Sequence, residues 1–156
     1  GWLARGCHPQ HLQAVQSFDE SGENALLIKR RDNGKWEPPG GFLELDETIE
    51  EGVRREVREE AGAEIEIGPL TGACKNMTLG IVALVFRAAV ASASADQSQE
   101  AAKIEWVGMD QARQLVDDVF YIRLTDAQAP WPGVVRPAVR THDGRRLTRH
   151  DRTEPE

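Results

Sequence analysis

Cysteine is scarce in this chain of 156 residues. Cys7 and Cys74 stand far apart and outside any Cys-x-x-Cys pair, so neither a disulfide framework nor a zinc site is expected. Long apolar runs are missing too. None approaches the roughly 18 residues a membrane span needs, which excludes a helical membrane protein. Gly1 to Gln10 lacks the basic start and apolar core of a secretory signal, so the cytoplasm is the expected compartment. A basic excess is absent: 19 Lys and Arg face 26 Asp and Glu, for a net charge of -7. That balance argues against tight nonspecific binding to nucleic acid, which draws on clustered cations. No internal repeat or dividing linker is visible, and the length suits one domain with its own core. We expect a single domain over 1–150 and a frayed polar tail over 151–156.

The charge that is present is unevenly placed. Residues 133–152 hold six Arg (136, 140, 145, 146, 149 and 152) against Asp143 and Asp151, leaving +4 there and -11 elsewhere. Eight acids crowd into Glu44–Glu60. The Arg-rich stretch carries no aromatic residue beyond the nearby Trp131, so it reads as a solvated hairpin, a substrate contact or a homodimer surface rather than an RNA site.

Along the chain, Leu12–Phe18 and Ala25–Arg30 are short apolar-rich runs split by the turn-forming Asp19–Asn24, the pattern of a hairpin. Lys35-Trp-Glu-Pro-Pro-Gly-Gly41 follows, and its two prolines and two glycines predict a rigid loop of defined shape. Thr48-Ile-Glu-Glu51 fits a capping box and Gly62 a C-terminal cap, so a helix is predicted between them. Glu64–Gly68 alternates in strand fashion, and Gly80–Val90 is apolar enough for a buried central strand. Ala91–Gln99 reads as a flexible connection, Lys103–Val107 as a strand, and Asp110–Val116 as a helix capped by Asp110. Val134–Arg149, broken by Thr141-His-Asp-Gly144, suits a late hairpin. His8, His11, His142 and His150 show no metal spacing and are expected at the surface.

The helix carries the chemistry. At about 100° per residue, Ile49, Val53, Val57 and Ala61 form one apolar stripe spanning roughly 120°. On that scale Glu59 falls at about 280°, Glu56 at about 340° and Glu60 at about 20° from Ile49. Glu56 and Glu60 therefore sit at the edge of the core face, while Glu51, at about 200°, faces solvent. A solvated acidic face paired with Arg54, Arg55 and Arg58 is the plain alternative. Its overlap with the apolar stripe weakens it, because crowded, partly buried carboxylates repel and lose hydration unless cations compensate. Hard oxygen donors in such numbers suit Mg²⁺, with Mn²⁺ as a substitute.

The segment resembles the Nudix box, Gly-x5-Glu-x7-Arg-Glu-U-x-Glu-Glu-x-Gly-U with U aliphatic, at every defined position. Gly41, Glu47, Arg55, Glu56, Val57, Glu59, Glu60, Gly62 and Ala63 fill it, and at background frequencies a chance match is rarer than about 10⁻⁸ per starting position. The resemblance implies an α/β (α+β) fold, the Nudix α/β/α sandwich, with a mixed β-sheet and a loop-helix-loop catalytic motif. It also implies a hydrolase of MutT type acting on a nucleotide-type small molecule, with Mg²⁺ as cofactor. By the same resemblance Glu56, Glu59 and Glu60 are metal ligands, supplemented by Glu47 and the carbonyl of Gly40 or Gly41, and Arg55 orients a glutamate. The general base is Glu56 or the later Glu100, with Glu105 a weaker alternative. Trp36, Lys75 and Asn76 are candidate substrate contacts, with packing the favoured role for Trp36 and a turn role equally open for Asn76. A nucleoside triphosphate, oxidised or not, and a nucleotide sugar both fit, because the downstream markers of ADP-ribose and dinucleoside polyphosphate relatives are absent. The alternative of another class is a noncatalytic Nudix-fold nucleotide sensor.

Overall fold

The computed structural model describes residues 11–93, 101–128 and 136–148. The first two apolar runs become β1 (His11–Phe18) and β2 (Asn24–Arg30), antiparallel neighbours. Between Arg30 and the helix the chain forms β3 (Trp36–Glu37), which pairs with β2, and β4 (Gly40–Phe42), which pairs with β1. The expected loop is thus stitched into the sheet on both sides of Pro38-Pro39. Helix α1 (Ile49–Ala61) follows, then β5 (Ala63–Asn76), β6 (Ile81–Ala93), β7 (Ala101–Gly108), α2 (Met109–Leu115), α3 (Asp118–Gln128) and β8 (Ala138–His142).

The sheet is mixed. Its order is β3-β2-β1-β6-β5-β8, with β4 on β1 and β7 on β2; β1 runs parallel to β6 and β5 parallel to β8, and the other pairings are antiparallel. The inner strands β1 and β2 are buried on both faces, which is why their sequences are rich in apolar residues. Alternate residues of β2 go to opposite layers: Leu26 and Ile28 pack with Val53, Val57 and Ala61 of α1, and Ala25 and Leu27 pack with Ala112 of α2 and Leu124 of α3. Helices on both faces of a mixed sheet make the predicted α/β/α sandwich.

Helix α1 has the ends its sequence specifies. Thr48 Oγ1 accepts from Glu51 N at 3.1 Å, Glu51 Oε1 accepts from Thr48 N at 3.0 Å, and Gly62 closes the helix at φ 62°, a left-handed conformation that favours glycine. Its buried face is offset from the predicted stripe. Ile49 is 41% exposed, because the first turn overhangs the sheet, and Gly52 is buried instead against Gln13 and Leu43. Further corrections concern the second half. Asp110 is not a cap: α2 starts at Met109 directly after β7, with Gly108 at the cap position and Asp110 inside the first turn, where its charge still suits the helix dipole. β5 is longer than the expected 64–68, carried past Pro69 by register shifts against β6. β6 runs on to Ala93, into the expected flexible connection. Helix α3 was not foreseen. His142 is 4% exposed rather than superficial, because β8 lies along β5 and pairs it with Asn76. The turn at Thr141–Gly144 is present, and among the described residues the returning strand shows one bridge, His142 to Leu147. No described helix is long and apolar enough to cross a membrane.

Candidate functional site

The site forms where β4 meets α1. Pro39 is held by its carbonyl, which accepts from Val15 N at 2.9 Å, and this fixes the two glycines after it against β1, with Gly40 opposite Ala14 and Gly41 opposite Gln13. Both must lack a side chain. A Cβ on Gly40 would stand 2.7 Å from the Gln13 carbonyl oxygen, and one on Gly41 would stand 2.5 Å from the carboxyl atoms of Glu56. The backbone of the glycine pair is therefore laid directly over the carboxylate face of α1. Gly40 N donates to Glu60 Oε1 at 3.2 Å.

Beneath the glycines lie Glu56 and Glu60, one helical turn apart and each 7% exposed. Burial pushes the Glu60 carboxyl up to about 9, and its hydrogen bond with the adjacent Glu56 adds to the rise. Two carboxyl groups that approach this closely away from water cannot both carry full charge without a cation. Arg55 supplies only part of the compensation. Its guanidinium grips Glu47 with Nε at 2.9 Å and Nη2 at 2.6 Å, reaches Glu56 Oε1 at 2.9 Å and Glu59 Oε2 at 3.3 Å, and donates to the Phe42 carbonyl at 3.1 Å. These hydrogen bonds hold Glu47 below the usual carboxylate range. Arg55 thereby ties the loop before α1 to the helix and fixes one oxygen of Glu56.

The pair opens into a cavity of about 630 Å³, a size that suits a nucleotide-scale ligand. Gly40, Gly41, Glu56 and Glu60 line it, together with Glu37, Phe120 and Arg123. Burial raises the Glu37 carboxyl above its ordinary value, against the opposing effect of Arg30, whose Nη1 lies 3.2 Å from Glu37 Oε1. The donor chemistry fits a hard divalent cation: two buried carboxyls in contact, which can both ionise only with a cation beside them. Among the described residues no group of three or more His, Cys, Asp or Glu is gathered at metal-binding spacing. Glu59, with a side chain 45% exposed, and Glu47 are instead engaged by Arg55.

The structure brings together Gly41, Glu47, Arg55, Glu56, Glu59 and Glu60. Trp36 is half-buried and packs against the core beneath α2 and α3, in line with its packing reading. Lys75 is exposed and Asn76 spends its Oδ1 on the turn, accepting from Thr78 N at 3.0 Å and Leu79 N at 3.1 Å; neither lines the cavity. Glu100, like His8, His150, Arg149 and Arg152, lies outside the described residues. The cavity residues that sequence reasoning missed include Gln13, Glu37, Phe120 and Arg123. Gln13 did leave a signal, a polar amide in the middle of an apolar strand, and both polar atoms of its side chain are buried without a hydrogen-bond partner among the described residues. Arg123 left one as well, the only cation in the otherwise apolar run Val119–Leu124.

Comparison with known proteins agrees with this geometry. The model of the NUDIX domain matches residues 12–127. A "MutT-like protein" of Streptomyces ambofaciens is 48% identical over 140 residues, covering 89% of this chain and 88% of the relative. An "ADP-ribose pyrophosphatase" of Methanocaldococcus jannaschii is 44% identical over 62 residues, 38% of this chain and 37% of the relative. Among solved structures, an ADP-ribose pyrophosphatase from Streptococcus suis superposes with a TM-score of 0.67 at 17% identity, covering 86% of this chain and 100% of that one, which is a likeness of fold.

Proposed function

The chain belongs to the Nudix hydrolase family, and from that premise we propose that it is a Mg²⁺-dependent pyrophosphohydrolase cleaving the diphosphate bond of a nucleoside diphosphate derivative. The observation that carries the proposal is the Glu56–Glu60 pair, two buried carboxyls in contact under a glycine backbone at the wall of a nucleotide-sized cavity. Such a pair costs stability in an apo protein and gains its use from a cation.

Glu56 and Glu60 are the central ligands in this reading, with Glu59, Glu47 and the Gly41 carbonyl as further donors. Bound Mg²⁺ would neutralise diphosphate charge and activate water for attack on phosphorus. The chain's own residues do the rest. Arg55 holds Glu56 in one orientation and keeps Glu47 and Glu59 close to the site. Gly40 fixes Glu60 through its N–H, and the bare Gly41 backbone lets the ligand approach the carboxylates. Glu56 or Glu100 takes the proton of the attacking water. The substrate is a nucleoside triphosphate, an oxidised one included, or a nucleotide sugar; the names of two relatives add ADP-ribose to the compounds worth testing.

A nucleotide panel incubated with Mg²⁺, with phosphate, diphosphate and nucleoside monophosphate measured separately, tests the reading. Turnover that yields a nucleoside monophosphate is the expected result. Binding without turnover across the panel would replace the enzyme by a nucleotide sensor.

A further inference from the structure

Arg123 is buried to 6% exposure on α3, yet it lines the cavity. Its partners are poor. Among the described residues the buried Nε has no hydrogen-bond partner, and one neighbour is the thiol of Cys74, a weak acceptor. Another is His142, whose Nε2 lies 3.4 Å from Arg123 Nη2. That contact is not a good hydrogen bond, because His142 Nδ1 accepts from Gly144 N at 3.0 Å. A neutral imidazole with Nδ1 as acceptor carries its proton on Nε2, so two donors face each other. Burial and Arg123 both keep this imidazole neutral. Among the described residues the interior side of the guanidinium therefore meets no strong acceptor, which leaves the cavity as the side from which one enters.

Two neighbours define what enters. Glu37, paired with Arg30 at 3.2 Å, also couples electrostatically to Arg123 and to Glu60, so a carboxyl acceptor stands near Arg123. Phe120, one turn before Arg123 on α3, also lines the cavity and stacks under the guanidinium, with the Arg123 Cζ 5.5 Å from the ring centroid. A donor fork, a nearby carboxyl acceptor and an aromatic face suit a flat, uncharged heterocycle that carries a carbonyl oxygen beside an N–H.

Resting on the nucleotide-hydrolase reading above, we propose that Arg123 and Glu37 select a keto nucleobase, guanine, hypoxanthine or uracil, over the amino bases adenine and cytosine. Arg123 donates to the keto oxygen and Glu37 accepts from the adjacent ring N–H. An amino group in the keto position presents a donor to a donor, and a site that leaves its buried guanidinium unpaired discriminates strongly.

Equilibrium binding of nucleoside monophosphates by metal-free titration calorimetry tests this without involving turnover. GMP should bind at least about tenfold more tightly than AMP, and UMP than CMP. R123Q should bring each pair within about twofold, with a circular dichroism spectrum unchanged from wild type. Equal affinities within the pairs in the wild-type protein overturn the proposal, and that comparison requires no variant to fold. A preference that survives in folded R123Q overturns it as well. If R123Q weakens inorganic diphosphate binding and leaves the base order intact, the guanidinium is a phosphate clamp and the base assignment is wrong. Failure of the hydrolase reading looks different: the keto preference is present and no diphosphate bond is cleaved in Mg²⁺.

Discussion

Glu60→Gln separates the stability of the site from its chemistry. Gln keeps the volume of Glu60 and a carbonyl oxygen for the Gly40 N–H, and it can donate to Glu56 as a protonated carboxyl would. It removes only the ionisation. In the metal-free protein burial and Glu56 raise the Glu60 carboxyl to about 9, from an ordinary 4.5. Between those two pH values the folded state holds a proton that the unfolded state has released, so stability falls as pH rises through the window and levels off above it. At about 1.36 kcal/mol per pH unit, the ceiling by pH 8 is about 5 kcal/mol; water entering the cavity offsets part of it, and we expect ~1–3 kcal/mol. Urea melts of metal-free protein at pH 5 and pH 8 measure it directly. E60Q should match the wild type near pH 5, exceed it at pH 8 by that margin, and lose at least about a hundredfold in kcat with Mg²⁺, since electrostatic positioning supplies most phosphoryl-transfer catalysis. The control Glu51→Gln, on the solvent side of α1, should lose little stability and keep its turnover. Parallel pH dependences for wild type and E60Q, or E60Q with near wild-type kcat, would refute the reasoning.

Other substitutions probe the same framework. Gly41→Ala sets a methyl 2.5 Å from the Glu56 carboxyl and should abolish turnover while thermal melting shows a folded protein. Arg55→Lys keeps the charge but cannot grip Glu47 with two nitrogens and reach Glu56 as well; kcat should fall by about ten- to a hundredfold, with a smaller change in KM. His142 is held at about 4 by burial and Arg123. Its unfolded form takes up a proton first as pH falls from 6.5, so stability is lost between pH 6.5 and 4, and H142N should flatten that acid limb in urea melts.

The first half of the chain was legible because its signals are local. The capping box at Thr48–Glu51, the cap at Gly62 and the apolar period of Val53, Val57 and Ala61 all report on neighbours three or four residues away, and the same period placed Glu56 and Glu60 at the core edge. Ile49 obeys that period but lies beyond the sheet the helix packs on, which the period cannot convey. Helix α3 was hidden because Val119-Phe-Tyr-Ile122 reads as a strand, and only packing against Phe18 and Leu27 makes it a helix. Arg123 and His142 became part of a cavity wall and its backing through contacts across 19 residues of chain, which no spacing rule records.

The most direct test of the Glu56–Glu60 pair as the seat of catalysis is turnover as a function of Mg²⁺ concentration, at saturating substrate, for wild type and E60Q side by side. The wild-type rate should rise from zero in EDTA to saturation at millimolar Mg²⁺, and E60Q should stay near the blank throughout. Hydrolysis that persists in EDTA, or an E60Q curve that saturates at the wild-type rate, would contradict the account.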